Sequence, residues 1–397
     1  MESISKSINQ FSFDLSKELG SSERDKNIAI SPLSISAALS LVLLGSGENT
    51  ATQIEQVLHM PESQIPLKDE KKGFEKLCGR RMKKKEVHDV HHQFHELLNQ
   101  LKSQKSDSVL TIANAAFTQL NFPLLKEYLR SAETLYQAKL ETVDFQDDKT
   151  RQEINSWVEE QTEGKITDLF PENSLDKSAA LVLVNAVYFK GQWMKKFKEE
   201  NTTNAPFYIT KDTEISVPMM SKKREKFNIG IIEEIDAEII ELPYGTGDLC
   251  MFIVLPNEVA GLQKIEEQIT AESLMKWTSS NFLTSMKLDL QIPRFKIETN
   301  YNLAQYLTNM GIVDAFSQQK ANLSGMSDIG LYVSQVIHKC FIDVNEEGTE
   351  AAAATGAVIM PKSLLPPKTF IVNHPFLCFI KHISTDTIIF HAKVYSP

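Results

Sequence analysis

Cysteine is scarce in this chain: four in 397 residues, Cys78, Cys250, Cys340 and Cys378, far apart and mostly flanked by apolar residues. Such spacings fit neither a disulfide framework nor a zinc site, so the thiols are expected to be reduced and partly buried, which favours an intracellular compartment. Positive charge is also in deficit. Lys and Arg number 42 against 52 Asp and Glu, a net charge of −10. That balance excludes a general nucleic-acid binder, because whole-surface attraction to phosphate needs the opposite sign. Any polyanion site has to be local. Nor is there a long uninterrupted apolar run: the most apolar early stretch, residues 28–44, contains Pro32 and four serines and predicts a buried helix instead of a membrane span. The first residues, "MESISKSINQF", lack a cationic region followed by an apolar run and a small-residue cleavage site, so no cleavable signal is predicted. Two Asn-x-Ser/Thr triplets, at Asn201 and Asn322, keep a secreted reading open.

Catalytic constellations are missing too. No glycine-rich phosphate loop carries its lysine, and Gly45-Ser46-Gly47 lacks the spacing of a hydrolase nucleophile elbow. In "HDVHHQFHE", His88, His91 or His92, and His95 fall on one helical face, as divalent-ion ligands would. No cysteine or carboxylate is placed by sequence to complete that set, and His95-Glu96 lacks the second histidine of a zinc-protease helix. The plainer reading is a partly exposed helix, and the sequence predicts no metal, no cofactor and no catalytic residue.

What is present is the composition of a folded protein, 42% apolar and 8% aromatic. Ile4, Ile8, Phe11, Leu15 and Leu19 recur at three- and four-residue steps, and "RQEINSWVEEQTEGKI" repeats the pattern with Ile154, Trp157 and Val158 before a closing Gly164. Beyond residue 180, runs such as "ALVLVNAVYFKG", "DLCMFIVLP" and "TIIFHAKVY" are strand-like and too continuously apolar for half-exposed strands. We expect one α+β domain spanning 1–397, helix-rich first and sheet-rich later. One segment departs from this composition: residues 68–86 follow Pro61 and Pro66, and 68–85 hold nine Lys or Arg against three acids. The expected form is a mobile inter-helix loop. Its cations, Arg80, Arg81, Lys83, Lys84 and Lys85 among them, suit a solvated surface, a nuclear-import signal or a polyanion patch.

The stretch "NEEGTEAAAATGAVIMPKSLLPPKTF", 345–370, is conformationally undecided: four alanines favour helix, whereas the following glycine, β-branched residues and prolines do not. Extended, it would place Thr349, Ala351, Ala353 and Thr355 on one face and Glu350, Ala352, Ala354 and Gly356 on the other. The first face is small and uncharged, so it could be buried between two strands without stranding a charge. Prolines 361, 366 and 367 predict an exposed extended loop beyond it.

These segments carry a resemblance. "NEEGTEAAAAT", with "NIAISPLSIS" at 27–36, "LVNAVYFKGQW" at 183–193, "VIHKCFIDVNEEGTEA" at 336–351, "NHPFLCFI" at 373–380 and the terminal "YSP", resembles the serpins over essentially the whole length, in particular the ovalbumin-like, mostly intracellular branch of clade B type. The resemblance implies a serpin fold of three β-sheets and about nine α-helices with an exposed reactive-centre loop. It implies a hinge at Glu347, Gly348, Thr349, Glu350, Ala351, Ala352, Ala353, Ala354 and Thr355. Counting fourteen residues after Gly348 gives Lys362 as the specificity-setting residue and Lys362–Ser363 as the reactive bond, flanked by Met360, Pro361 and Leu364. Ser31, Ser34, Asn185 and His338 match the family's central polar cluster; Trp193, Glu347 and Arg294 match the point where the loop enters the sheet, with a Glu347–Arg294 pair expected.

The implied activity is irreversible suicide inhibition of a trypsin-like serine protease, held in a covalent complex. A non-inhibitory serpin acting as a binding protein, and a nuclear or polyanion-binding serpin using 68–86 to hold heparin or DNA, stay open as alternatives. The expected protein is a monomer without membrane contact, cytoplasmic, with nuclear residence or secretion without a cleaved signal left open.

Overall fold

The computed structural model describes residues 2–60, 90–103, 109–348 and 368–397. Among these residues the chain forms helices α1 (Glu2–Ser22), α2 (Pro32–Leu44), α3 (Glu48–Val57), α4 (Val90–Ser103), α5 (Lys126–Tyr136), α6 (Asp148–Gln161), α7 (Leu262–Gln268), α8 (Ala271–Trp277) and α9 (Ala304–Met310). The strands are β1 (Ile28–Ile30), β2 (Val109–Gln119), β3 (Lys139–Val143), β4 (Leu181–Lys190), β5 (Thr203–Thr210), β6 (Thr213–Ile232), β7 (Ala237–Tyr244), β8 (Leu249–Pro256), β9 (Thr284–Pro293), β10 (Phe295–Asn302), β11 (Val333–Val344), β12 (Lys368–Ile371), β13 (Phe376–His382) and β14 (Thr387–Val394).

The helical periodicity found its core: Ile4, Ile8, Phe11, Leu15 and Leu19 of α1 are all buried, as are Ile154 and Val158 of α6. The 28–44 stretch splits into β1 and α2. Pro32 at the first turn needs no N–H partner there, and the Ser31 hydroxyl accepts the Ser34 N–H at the helix start. Its residues from Pro32 to Leu43 are buried, so α2 runs through the interior as a scaffold for the sheet.

Two hydrogen-bonded networks organise the strands. A five-stranded sheet has the order β10-β11-β4-β2-β3, and a nine-stranded one the order β1-β14-β13-β8-β7-β6-β9-β12 with β5 also on β6. The three sheets expected from the sequence run together as two because β6, 20 residues long, takes β5 and β9 as partners along much of its length and β7 near its end. A register shift between Lys222 and Glu225 marks a bulge in that strand, with Arg224 at φ 55°. Bulges bend a strand and raise its twist, which lets one strand serve two sheets.

In the five-stranded sheet β11 and β4 run parallel, whereas β10 pairs antiparallel with β11 and β2 antiparallel with β4. β4 is buried on both faces over nine successive residues, which explains its unbroken apolar run. β11 leads directly into residues 345–348. No described helix is long and apolar enough to cross a membrane.

Candidate functional site

The candidate site is the seam between β11 and β4 and the turn that caps it. At the cap, Asn345 N–H donates to Gly348 O at 2.9 Å and Gly348 N–H returns to Asn345 O at 3.2 Å, closing a tight reversal. Segment 191–197 is laced to this turn: Trp193 N–H donates to Glu347 O at 2.9 Å, Phe197 N–H to Glu346 O at 2.8 Å, and the Trp193 indole N–H to Asn345 O at 2.9 Å. Trp193 is 4% exposed and stacks on Tyr244 with ring centres 4.4 Å apart. Gly348 has φ 125°, and a methyl group there would lie 2.1 Å from Gly191 O and 2.6 Å from Trp193 N. Only glycine fits this approach of two backbones.

Consecutive carboxylates diverge from the turn. Glu346, its side chain 4% exposed, accepts from Arg294 Nη2 at 2.5 Å and from the Thr202 hydroxyl at 2.6 Å. Burial opposes its ionisation, but these hydrogen bonds outweigh burial and hold its pKa below the usual carboxylate value. Glu347 turns to Lys196, Oε2 to Nζ 2.6 Å. The expected Glu347–Arg294 pair is therefore corrected to two pairs, Glu346–Arg294 and Glu347–Lys196. The reversal at 345–348 sends neighbouring side chains to different sides, and a sequence spacing does not tell which of two adjacent glutamates faces Arg294.

Lower in the seam, Asn114 of β2, Asn185 of β4 and His338 of β11 stand in register across three neighbouring strands. The Ser31 N–H donates to His338 Nε2 at 3.2 Å, so Nε2 is the acceptor and Nδ1–H donates to Asn185 Oδ1 at 2.5 Å. Asn185 Nδ2 in turn donates to Ser34 Oγ and to Asn114 Oδ1. Sequence matching supplied Ser31, Ser34, Asn185 and His338, which do converge. It missed Asn114, whose only signal was a buried-strand amide in the run "TIANAAF". Burial pushes the His338 pKa down to about 3, which keeps the ring neutral.

Residues 349–355, Met360, Pro361, Lys362, Ser363 and Leu364 lie outside the described residues, as do Arg80, Arg81, Lys83, Lys84, Lys85, Cys78 and His88. His91 and His95 are engaged elsewhere: Nδ1 of His91 lies 2.6 Å from the Tyr136 hydroxyl and Nε2 of His95 2.9 Å from Asn99 Nδ2. Among the described residues no group of three or more His, Cys, Asp or Glu is placed to hold a metal ion. Cys250, Cys340 and Cys378 are free and buried, and burial raises each thiol pKa, making them poor nucleophiles. Sequence reading also passed over Lys222, 9% exposed, whose ammonium donates to Lys195 O and sits 4.2 Å from the centre of the Phe197 ring.

Two outcomes follow from this geometry. Arg294→Met should destabilise the fold by about 1–3 kcal/mol, since a buried carboxylate loses its charged donor, and Arg294→Met with Glu346→Gln should recover most of it; denaturant midpoints measure both. His338 has a folded pKa below that of the unfolded chain, so the unfolded state binds the extra proton and stability falls as pH drops from about 6.5 towards 3. His338→Gln should remove up to about 1.4 kcal/mol per pH unit from that acid slope. Unfolding curves at pH 6, 5 and 4 check it, and an unchanged slope would mean that His338 does not titrate in this way.

A sequence profile described as "Serpin (serine protease inhibitor)" matches residues 6–397. Human Serpin B4 is 43% identical over 403 residues and human Serpin B12 42% over 408, each comparison covering 100% of both chains. Among solved structures, uncleaved ovalbumin superposes with a TM-score of 0.85 at 35% identity over 100% of both chains, and a cleaved, loop-inserted ovalbumin mutant with 0.84 at 35% identity, again over 100% of both. Thyroxine-binding globulin in complex with thyroxine superposes with 0.85 at 30% identity over 99% of each. With its parallel seam, capping turn and buried polar row in place, the chain belongs to the serpin family, on the side of its clade B relatives.

Proposed function

We propose that this serpin is a single-use, irreversible inhibitor of a trypsin-like serine protease, cleaved between Lys362 and Ser363. The observation that carries the reading is the parallel pair β4–β11 whose second strand continues, through the turn at Gly348, into a run with one small, uncharged face. A segment returning from that turn between the two strands would be antiparallel to both, so its N–H and C=O groups would find partners on each side. Residues 349–355 offer no lysine or arginine to resist burial, and Thr349, Ala351, Ala353 and Thr355 share the face that would be buried.

The chemistry belongs to the protease. Its serine oxygen attacks the carbonyl carbon of Lys362, the Lys362–Ser363 peptide bond breaks, and the Ser363 amine leaves with a proton. The Lys362 acyl group is then an ester on the enzyme. Freed at that end, the hinge from Gly348 enters the seam and carries the ester-linked protease with it before water completes deacylation. Lys362 supplies the cation for an acid-bottomed specificity pocket, and Met360, Pro361 and Leu364 shape the approach. Trp193, Glu347 and Arg294 hold the cap; Ser31, Ser34, Asn185 and His338 set the cost of parting β4 from β11. In this reading 1–397 acts as one domain and a monomer, cytoplasmic, with Arg80, Arg81, Lys83, Lys84 and Lys85 free to bring it to a polyanion such as heparin or DNA.

A second reading, a binding protein without inhibition, is favoured by one observation. A cavity of about 730 Å³ opens between α1, α7 and β13, lined by Phe13, Leu262, Ile269 and Leu377 together with Arg24 and Glu266. A structural neighbour at 30% identity holds thyroxine, so the fold can carry a small amphipathic molecule.

Incubation with trypsin-like proteases, followed by denaturing electrophoresis and mass spectrometry, separates the readings. The inhibitor reading expects a covalent complex and cleavage after Lys362; cleavage at another bond, or turnover without a complex, would overturn it. Lys362→Leu should slow inhibition of these proteases about 30-fold or more, because an acid-bottomed pocket is left unpaired, while chymotrypsin-like enzymes gain. Thr349→Arg should still be cut after Lys362 but form little complex, since burying an unpaired guanidinium costs on the order of several kcal/mol. Undiminished complex formation by that variant would place the inserting face elsewhere.

A further inference from the structure

In a chain with ten more acidic than basic residues, five lysines line one opening. Lys195, Lys196 and Lys198, from the segment after Trp193, face Lys222 and Lys223 of the β6 bulge across a cleft of about 420 Å³, with Glu225 as the one carboxylate in its wall. In a regular strand Lys222 and Lys223 would point to opposite faces. Here the register shifts between Lys222 and Glu225, and both lysines line the cleft. The bulge is itself held, since Arg224 adopts φ 55° and its N–H donates to Asp289 Oδ1 at 2.7 Å.

Three of the five cations already have carboxylates: Lys195 has Glu225 at 3.2 Å, Lys196 has Glu347 at 2.6 Å, and Lys198 has Glu200 at 3.5 Å. Lys222 and Lys223 have none within ion-pair distance among the described residues. Lys222 is the more telling, because the residue is buried and its ammonium has a carbonyl and two aromatic rings, Phe197 and Phe227, beside it. Burying a cation is costly, and burial draws the Lys222 pKa down to about 7 although the nearby Glu225 charge pulls the other way. A multiply charged anion seated between the two segments supplies what the wall lacks.

We propose that the cleft between segment 195–198 and the β6 bulge binds a compact polyanion, a small molecule bearing several phosphate or sulfate groups. Lysine ammoniums are point charges on flexible stems and suit clustered oxyanions whose geometry is not planar. The cleft's volume fits a drug-sized molecule and is far too small for a duplex or a long saccharide chain. The lining named here includes no residue of 68–86, and its occupancy does not rest on the inhibitor reading.

The test is titration calorimetry of the full chain with inositol hexakisphosphate and, in parallel, sucrose octasulfate. Saturable one-to-one binding of either, weakening as salt rises, is the expected result, and the tighter arm identifies phosphate or sulfate as the natural group. Lys195→Gln with Lys223→Gln, both exposed side chains, should weaken binding about tenfold or more. Lys222→Gln should do the same, and the exposed double variant keeps the test valid if Lys222→Gln does not fold. A chain with Lys83, Lys84 and Lys85 changed to Gln should retain the affinity. Absence of binding to both probes at millimolar concentration, or binding lost in the 83–85 variant and kept in the cleft variants, would overturn the assignment.

Discussion

The proposed loop insertion depends on one constraint: two parallel strands, β4 and β11, are held together at the centre of a sheet by a polar row where a purely apolar seam would be simpler. The backbone ladder joins them from Leu181–Val333 to Tyr188–Phe341. Behind that ladder stand His338, Asn185 and Asn114, reached by Ser31 just before α2 and by Ser34 in its first turn. Such a network is all-or-none. Satisfied, it fixes the register of three strands; broken at one member, it leaves buried donors and acceptors without partners. A seam built this way stays shut until enough is gained to replace its hydrogen bonds together.

The cap places the same logic at the surface. The reversal at 345–348 is bound to 191–197 by backbone hydrogen bonds and the Glu347–Lys196 ion pair, and to Arg294 by a second, divergent pair from Glu346. The first partner of each pair comes from the turn after β11; the second comes from the end of β9 or from the chain beyond β4. The cap therefore ties the seam's upper end to the bent network containing β6 and β9. Gly348 is the point at which these backbones approach too closely for any side chain. Lys196 belongs to this cap and also to the lysine-lined cleft, so the anion site lies against the cap's outer ion pair.

Much of this was legible in the sequence, for reasons that differ by element. The 3.6-residue spacing in α1 and α6 and the uninterrupted apolar runs of β4 and β8 report burial directly, and those residues are buried save Trp157, which is half-buried at the edge of its cluster. The fold, and the identities of Ser31, Ser34, Asn185 and His338, came through resemblance to a family and not through periodicity. What stayed hidden depends on neighbours distant in the chain. Asn114 matters because β2 happens to stand in register with β4 at Asn185. The partner of Arg294 depends on how a four-residue turn aims two adjacent glutamates. Lys222 and Lys223 look like an ordinary exposed pair until the fold sets both in one cleft with lysines more than twenty residues away. Likewise the merging of sheets through β6 follows from strand pairing, which composition does not encode.

The central claim is that the segment after Gly348 can become a new strand between β4 and β11. The direct measurement is the thermal unfolding midpoint of the intact chain against the same chain cut once after Lys362. About ten new ladder hydrogen bonds at ~1 kcal/mol each, with roughly 1 °C per kcal/mol for a chain of this size, predict a rise on the order of 10 °C after cutting. Coincident midpoints for cut and intact protein would contradict the account, because the seam would then have taken in no strand.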